Sequence, residues 1–436
     1  MKKTSKLIAA ILMVVMLFSM VACSPAAPAA EEPAATTEAA VTPEPAAEPM
    51  EFDMIYTKDD IATPMAEMVA AFQAENPNIT AKVEVLGANS DQVIQSRDAA
   101  GDLPDVFPVY NIGAGGLDSW IKAGKIQDIS SLKAFQALPQ TEKDQVTGAD
   151  GKAYSLVLST TAFPVLYNKD LFAKAGITAV PRTFDEMKVV CEKLKAAGIT
   201  PFGVGAKDGW TVSNQIWRAG LDYAFPKQWN ADRYAGKASF MDYGKDIFPY
   251  LDLVLANSNT KVLDTDYMTQ LALMAEGKVA MLNQGPWAYT NIMGMSPEMK
   301  DTFGAFPIPF GNTASRNKMY TQQELAFVVS SKANLEAVDA FFSFMVTGNG
   351  KDIFGKGFNV QNPYGIAIAG NPVLTDIQSY IDKGEYMFDF QDNNRSTDFF
   401  MVDWTLMQEY IGGKKTQDQV LVAMDKAWDE AQAKMK

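Results

Sequence analysis

The stretch FDMIYTKDDIATPMAEMVAAFQAENPNITAKVEV, residues 52–85, passes through two periodicities in order. Residues 52–56 are a short apolar run closed by the polar turn Thr57-Lys58-Asp59-Asp60, as a buried strand would be. Thr63 stands at a helix N-cap position with Pro64 after it, where the missing N–H of proline costs nothing. Met65, Met68, Val69 and Phe72 follow at i, i+3, i+4 and i+7 and form one helical face. Asn76-Pro77-Asn78 ends the helix. Ile79, Ala81, Val83 and Val85 then alternate with Thr80, Lys82 and Glu84, which predicts a strand with one buried face. Strand, helix and strand in this order are the unit of a parallel sheet.

The same alternation continues outward. Residues 106–110 read as a strand and 117–123 as a helix. Thr183-Phe184-Asp185-Glu186 is a capping box opening a helix that Gly198 closes. Strand candidates at 278–282 and 325–330 each precede helical segments, the second carrying an apolar stripe of Val338, Phe341, Phe342 and Met345. A second capping box, Thr416 to Gln419, starts a terminal helix through Val420, Met424 and Ala427. The expected fold class is therefore α/β with mainly parallel sheets. No internal repeat appears, and nothing after residue 50 reads as a linker, so separate lobes would be joined by ordered crossovers.

Residues 1–50 have a different character. Lys2, Lys3 and Lys6 precede an apolar run from 7 to 22, the layout of an export signal, and its 16 residues fall short of the roughly 20 that span a bilayer. Met20-Val21-Ala22-Cys23 resembles a bacterial lipobox, with Met where Leu is usual; the resemblance implies that residues 1–22 are removed and Cys23 is lipidated. Residues 24–50 are almost all Ala, Pro, Glu and Thr, too poor in large apolar groups to offset chain entropy, so 23–50 reads as a lipidated cysteine and a disordered tether. Cys191 shares a helical face with Phe184, Met187 and Leu194, which predicts a buried thiol and, with Cys23 committed to lipid, no disulfide.

The whole chain has 436 residues, a formal charge of −14 and no histidine. That absence excludes Ser-His-Asp and Cys-His pairs and HExxH zinc sites. Acidity without a Lys/Arg cluster argues against nucleic acid. Gly113-Ala114-Gly115-Gly116 has Asp118 where a dinucleotide loop needs glycine, and the stretch from Gly203 to Gly209 lacks a following GK[ST]. Thr269 stands where a calcium loop opened by Asp264 would need glycine, so Asp264-Thr265-Asp266 reads as a solvated acidic turn. No metal or cofactor is expected. Paired carboxylates leave an exported glycoside hydrolase as an alternative that needs no histidine.

Read in order, MAEMVAAFQAENPNITAKVEV, AAGDLPDVF, WIKAGKIQDIS, DGKAYSLVLSTTAFPVLYNKDLFAKAGI, TFDEMKVVCEKLKAAGITPFGVG, MAEGKVAMLNQGPWAYTNI, FGAFPIPF and IGGKKTQDQVLVAMDKAWDE resemble the carbohydrate-binding extracellular solute-binding proteins of ABC importers, the family that includes the maltose-binding proteins. The resemblance implies two α/β lobes, about 51–159 plus 306–333 and about 164–304 plus 335–436, with ligand in the cleft between them and closure by hinge bending. It implies a non-enzymatic, monomeric receptor that captures a sugar or oligosaccharide and delivers it to the membrane subunits of an ABC permease. The only membrane contact expected is an N-terminal lipid anchor facing away from the cytoplasm. A polyol, phosphate ester or polyamine could take the sugar's place, and a surface adhesin is a further alternative.

Ligands of open α/β sheets collect at the carboxyl ends of strands. Trp287, in NQGPWAY, matches the tryptophan that stacks on a sugar ring in the maltose-binding relatives, and Trp210, in AKDGWTV, matches an aromatic cleft position. Asp59 matches a ligand-contacting aspartate, and Tyr110 and Asn111 follow a strand where relatives place cleft residues. Thr161 replaces a glutamate of the maltose binders. Arg395 and Phe399 match the last contact region, a planar donor beside an aromatic face. Trp120 and Trp428, on apolar helix faces, are expected in the core.

Overall fold

The computed structural model describes residues 48–57, 61–86, 90–109, 114–148, 150–358, 360–368, 370–388 and 397–435. β1 (Met50–Tyr56), the helix Ala62–Glu75 and β2 (Ile79–Val85) form a parallel unit in register from Met50↔Ile79 to Tyr56↔Val85. Met65, Met68 and Phe72 are the buried face of that helix, as their spacing requires. Its cap differs from expectation: the helix begins at Ala62, so Thr63 lies inside it, and Ile61 at the N-cap offers no side-chain hydrogen bond.

The strands form two sheets. The first contains β1, β2, β3 (Val106–Val109), β4 (Leu156–Ala162), β9 (Met319–Val329) and β10 (Tyr386–Phe388), in the order β10-β9-β3-β1-β2 with β4 also paired to β9. The second runs β6-β7-β5-β8, from β5 (Val165–Asn168), β6 (Thr200–Gly203), β7 (Val279–Asn283) and β8 (Phe303–Phe306). The expectation of mainly parallel sheets is corrected. β3 and β4 both pair antiparallel with β9, and β5 pairs antiparallel with β7 and β8, so antiparallel pairings are as frequent as parallel ones. The cause is connectivity: the chain leaves the first sheet along β4 and returns along β9, and a strand that returns must run against the strand that left.

Each sheet organises its own core. Phe52, Phe72 and Phe341 meet at ring distances of 5.2–5.4 Å in the first. The lobe boundary expected at 335 is corrected here. The helix Leu335–Val346 buries Val338, Phe341, Phe342 and Met345 against the first sheet, and Phe354 and Phe358 remain in the same core. The reason is that β9 ends in the first sheet, so the helix following it has that sheet's apolar face nearest. In the second core the helix Phe184–Ala196, opened by the expected Thr183–Glu186 capping box, buries Cys191 beside Met187, Val190 and Leu194. Trp428 is 1% exposed there, while Trp120 is half-buried on the first core with its ring edge on Phe107. The terminal capping box forms too: Thr416 N–H donates to Gln419 Oε1 and Gln419 N–H to Thr416 Oγ1. Among the described residues no helix is long and apolar enough to cross a membrane.

Candidate functional site

The site is built where β6 and β7 end and where the chain crosses between sheets. β6 and β7 are parallel, so Gly203 and Asn283 deliver the chain to the same edge. Beyond β6 the loop tightens: Thr211 Oγ1 donates to the carbonyls of Gly205 and Asp208 at 2.7 and 2.8 Å, which sets the start of the short helix Trp210–Val212. A π-helical turn, Ser213–Arg218, continues it. Beyond β7, Gln284 is fully buried; its Nε2 donates to Gln270 Oε1, and Gln270 Nε2 donates to the Gly203 carbonyl, both at 2.9 Å. This relay ties the two loops together. Gly285 has no side chain because the Trp287 ring lies where a Cβ would be.

Four ring contacts join into one strip. Tyr267 lies 4.9 Å from Trp210, Trp210 lies 6.5 Å from Trp287, Trp287 meets Phe163 edge-on at 6.0 Å, and Phe163 lies 5.1 Å from Tyr320. Trp210, Trp287 and Tyr267 are half-buried, so each keeps part of its surface outward, whereas Phe163 and Tyr320 are buried. Asn291 Nδ2 donates to the Tyr267 hydroxyl, and burial pushes that phenol up to about 12, so it is neutral across the physiological range.

Phe163 lies between β4 and β5, and its N–H donates to the Tyr320 carbonyl on β9 at 3.0 Å. The strip therefore runs from the second sheet onto the ribbon formed by the two crossing strands. Thr161 stands opposite Gln322 on that ribbon and is 2% exposed; among the described residues its Oγ1 has no hydrogen-bond partner. Residues two apart on a strand share a face, which places Thr161 with Phe163, and Gln322 and Glu324 with Tyr320. The Tyr320 hydroxyl donates to Gln322 Oε1 at 3.4 Å, and Ser159 Oγ donates to Glu324 Oε2 at 3.3 Å.

Of the residues expected at the site, Trp287, Trp210 and Thr161 come together around this strip and ribbon. Phe399 does not. It is 1% exposed, stacked on Phe240 at 5.6 Å and edge-on to Trp428 at 5.4 Å, because the helix Thr397–Ile411 turns Phe399, Asp403, Leu406 and Met407 inward. Its expected cleft role is corrected to a core role. Asp59, Tyr110, Asn111, Arg395 and Cys23 lie outside the described residues. Phe163, Tyr267, Tyr320, Gln322 and Glu324 join the site without having been singled out; for Phe163 and Tyr320, the FPV and KMYTQ segments flanking a crossover were the available signal.

A pair of α/β lobes joined by crossing strands, with an aromatic strip at strand ends beside the joint, defines a two-lobed receptor for a solute. Residues 57–348 match the family described as bacterial extracellular solute-binding protein, and the chain belongs to that family. It is similar to the multiple sugar-binding protein of Streptococcus mutans, 25% identical over 66% of this chain and 69% of that protein. It is also similar to the melibiose/raffinose/stachyose-binding protein MelE of Bacillus subtilis, 24% identical over 56% of this chain and 57% of that one. RafE of Streptococcus pneumoniae, solved without ligand, superposes with a TM-score of 0.71 at 22% identity, covering 88% of this chain and 98% of RafE, a likeness of fold.

Proposed function

We propose that this chain is the substrate-capturing receptor of an ABC importer, and that its ligand is a neutral sugar or short oligosaccharide. The single observation that carries the reading is the strip Tyr267-Trp210-Trp287-Phe163-Tyr320 running from the strand ends onto the ribbon. A pyranose ring presents polarised C–H groups on its faces and hydroxyls at its edge, and half-buried aromatic rings beside polar side chains meet both. The relatives support the ligand class: RafE has been solved in complex with raffinose, and a Bacillus licheniformis sugar transporter protein of the same fold with stachyose. The family resemblance adds Asp59, Tyr110, Asn111 and Arg395 as further ligand contacts.

The receptor binds and releases without chemistry on the ligand. Residues 51–159 with 306–358 move against 164–304 with the chain beyond 360 by bending at the crossovers, and the core of the first sheet, separate from the two clusters around the second, supports that division. The protein acts as a monomer, held outside the cytoplasm by lipid on Cys23 and a tether over 24–50, and hands its ligand to the permease.

Thermal unfolding of the purified protein with a panel of mono- and oligosaccharides tests the reading. A ligand bound only by the folded state stabilises it by mass action, by about 2.7 kcal/mol at a hundred times its Kd, and so raises the midpoint. Absence of a shift with every sugar refutes it.

A further inference from the structure

The face of the crossover ribbon that turns away from the aromatic strip carries a row of polar side chains that sugar capture does not use. Neighbouring residues on a strand point to opposite faces, so Thr160 faces away from Thr161. Thr160 stands opposite Gln323 on β9 and, on its other side, opposite Gln361, whose carbonyl accepts the Thr160 N–H at 2.8 Å. Residues directly opposite in antiparallel pairs share a face, which puts Gln361, Thr160 and Gln323 side by side. Gln323 and Gln361 are 7% and 2% exposed, and among the described residues neither amide has a hydrogen-bond partner at its oxygen or its nitrogen. Asn362, next in the chain, differs. Its Oδ1 accepts from the N–H groups of Tyr364 and Ile366 and its Nδ2 donates to the Ile366 carbonyl, so that amide is explained by the loop it holds. The Gln361 amide holds nothing, and a buried polar group without partners is costly.

A cavity of about 210 Å³ lies on this face, with Thr160, Thr321 and Gln361 in its wall. Pro139 and Glu142 also line it, from a segment that packs Leu138 and Val146 into the core of the first sheet. Gln378 and Ile381 line it from the helix Pro372–Asp382, which packs Val373, Leu374 and Ile377 into a cluster around the second sheet. Both lobes therefore wall the cavity. We propose that it is a second binding site, for a small neutral polyol, and that its occupancy is linked to opening of the sugar cleft. The linkage, though not the site itself, rests on the receptor reading above. The volume equals that of about seven water molecules at their ~30 Å³ share of the liquid, the scale of a small polyol and too little for an oligosaccharide. A primary amide offers a donor and an acceptor side by side and a hydroxyl offers both, which matches the adjacent hydroxyls of a polyol. Gln361 has no hydrogen bond to lose when its flexible side chain turns the amide toward such a molecule, and Pro139 and Ile381 offer apolar contact to its C–H groups. Among the described residues lining the cavity, Glu142 is the single charged one and already has a partner, so a phosphate ester meets no cation there. A molecule touching both lobes favours one hinge position over another, and its effect on sugar affinity equals the sugar's effect on its own.

The test titrates xylitol into the purified full chain by calorimetry, with spermidine as a cationic control and Trp287→Ala as the variant that lacks the sugar platform. Xylitol should bind wild type and Trp287→Ala within about twofold, as distant sites act independently. Gln361→Leu should weaken it about tenfold while leaving the ligand-free unfolding midpoint the same or higher, because it removes an unpartnered amide. A glutamine that merely holds the fold would lower the midpoint and keep the affinity. Gln378→Trp, at an exposed position on the rim, blocks the cavity without touching the core and should weaken xylitol as much. Loss of xylitol binding with Trp287→Ala puts the polyol in the sugar cleft and overturns the inference, as does binding that both Gln361→Leu and Gln378→Trp leave intact. No heat from xylitol even near its solubility limit means that water alone fills the cavity, and overturns it too. Preference for spermidine overturns the neutral class. With xylitol saturating, raffinose affinity should change about fivefold or more in wild type and not in Gln378→Trp. An unchanged affinity overturns the linkage. If raffinose, stachyose and maltotriose all fail to bind, the receptor reading falls and the linkage with it, while xylitol still decides the site.

Discussion

Replacing Gly285 with alanine tests how the stacking platform is held. A Cβ at Gly285 overlaps the six-membered ring of Trp287, and that ring is flanked by Phe163 at 6.0 Å and Trp210 at 6.5 Å. The ring can yield only by leaving those neighbours. Overpacking costs about 1–3 kcal/mol, and each of the two displaced aromatic contacts forfeits about 0.5–1.5 kcal/mol, so the substitution should destabilise by at least about 2 kcal/mol. Sugar affinity should fall about tenfold with it, since the platform is no longer where the ligand expects it. The decisive assay is a double-mutant cycle by denaturant unfolding, with Trp287→Leu as the second change. In the leucine background the clash is absent, and Gly285→Ala should cost under about 0.5 kcal/mol, giving a coupling above about 1 kcal/mol between positions 285 and 287. Equal costs in the two backgrounds would refute the claim that the ring is the reason for the glycine.

Other outcomes follow from the same geometry. Trp287→Ala should abolish most of the thermal shift given by the best sugar while the protein remains folded. Removing Gln270 as Gln270→Leu leaves the Gly203 carbonyl and Gln284 without their partner, and should destabilise by about 2–4 kcal/mol in urea unfolding. Asp403→Ala strips the carboxylate 3.3 Å from the buried Arg218 guanidinium and should cost about 3–5 kcal/mol, detaching the helix Thr397–Ile411 from the π-helical turn. Burial pushes the Cys191 thiol up to about 12, so it should react with a disulfide reagent at about pH 8.5 only as fast as the protein opens, and a sugar that stabilises the fold should slow it.

Much of the first lobe and the two tryptophans were legible in the sequence because their signals are local. β1, β2 and the helix between them declare themselves through periods of two and 3.6, and the capping boxes at Thr183 and Thr416 through residues three apart. What stayed hidden depends on contacts between distant segments. Phe399 and Phe400 are adjacent, and only the packing of the helix against Phe240 and Trp428 decides that Phe399 faces inward. The helix Leu335–Val346 has an apolar stripe that fits either lobe; the direction of β9 assigned it to the first. Glu324 sits in an apolar-rich strand, and its place beside Ser159 on the ribbon follows from the ribbon's register, which no single segment contains.

That β9 completes the first sheet has a consequence for how the chain becomes a protein. β3 ends at residue 109, but its neighbour begins pairing only when residues 326–329 arrive, and the helix that closes the first core follows later still. A chain emerging from its N-terminus must therefore hold β1, β2 and β3 with one flank uncovered until the whole intervening lobe has appeared. Contacts of such sequence separation slow folding, because loop closure is borne before the contacts reward it. The lobe that begins first is thus the one whose sheet is finished late in synthesis.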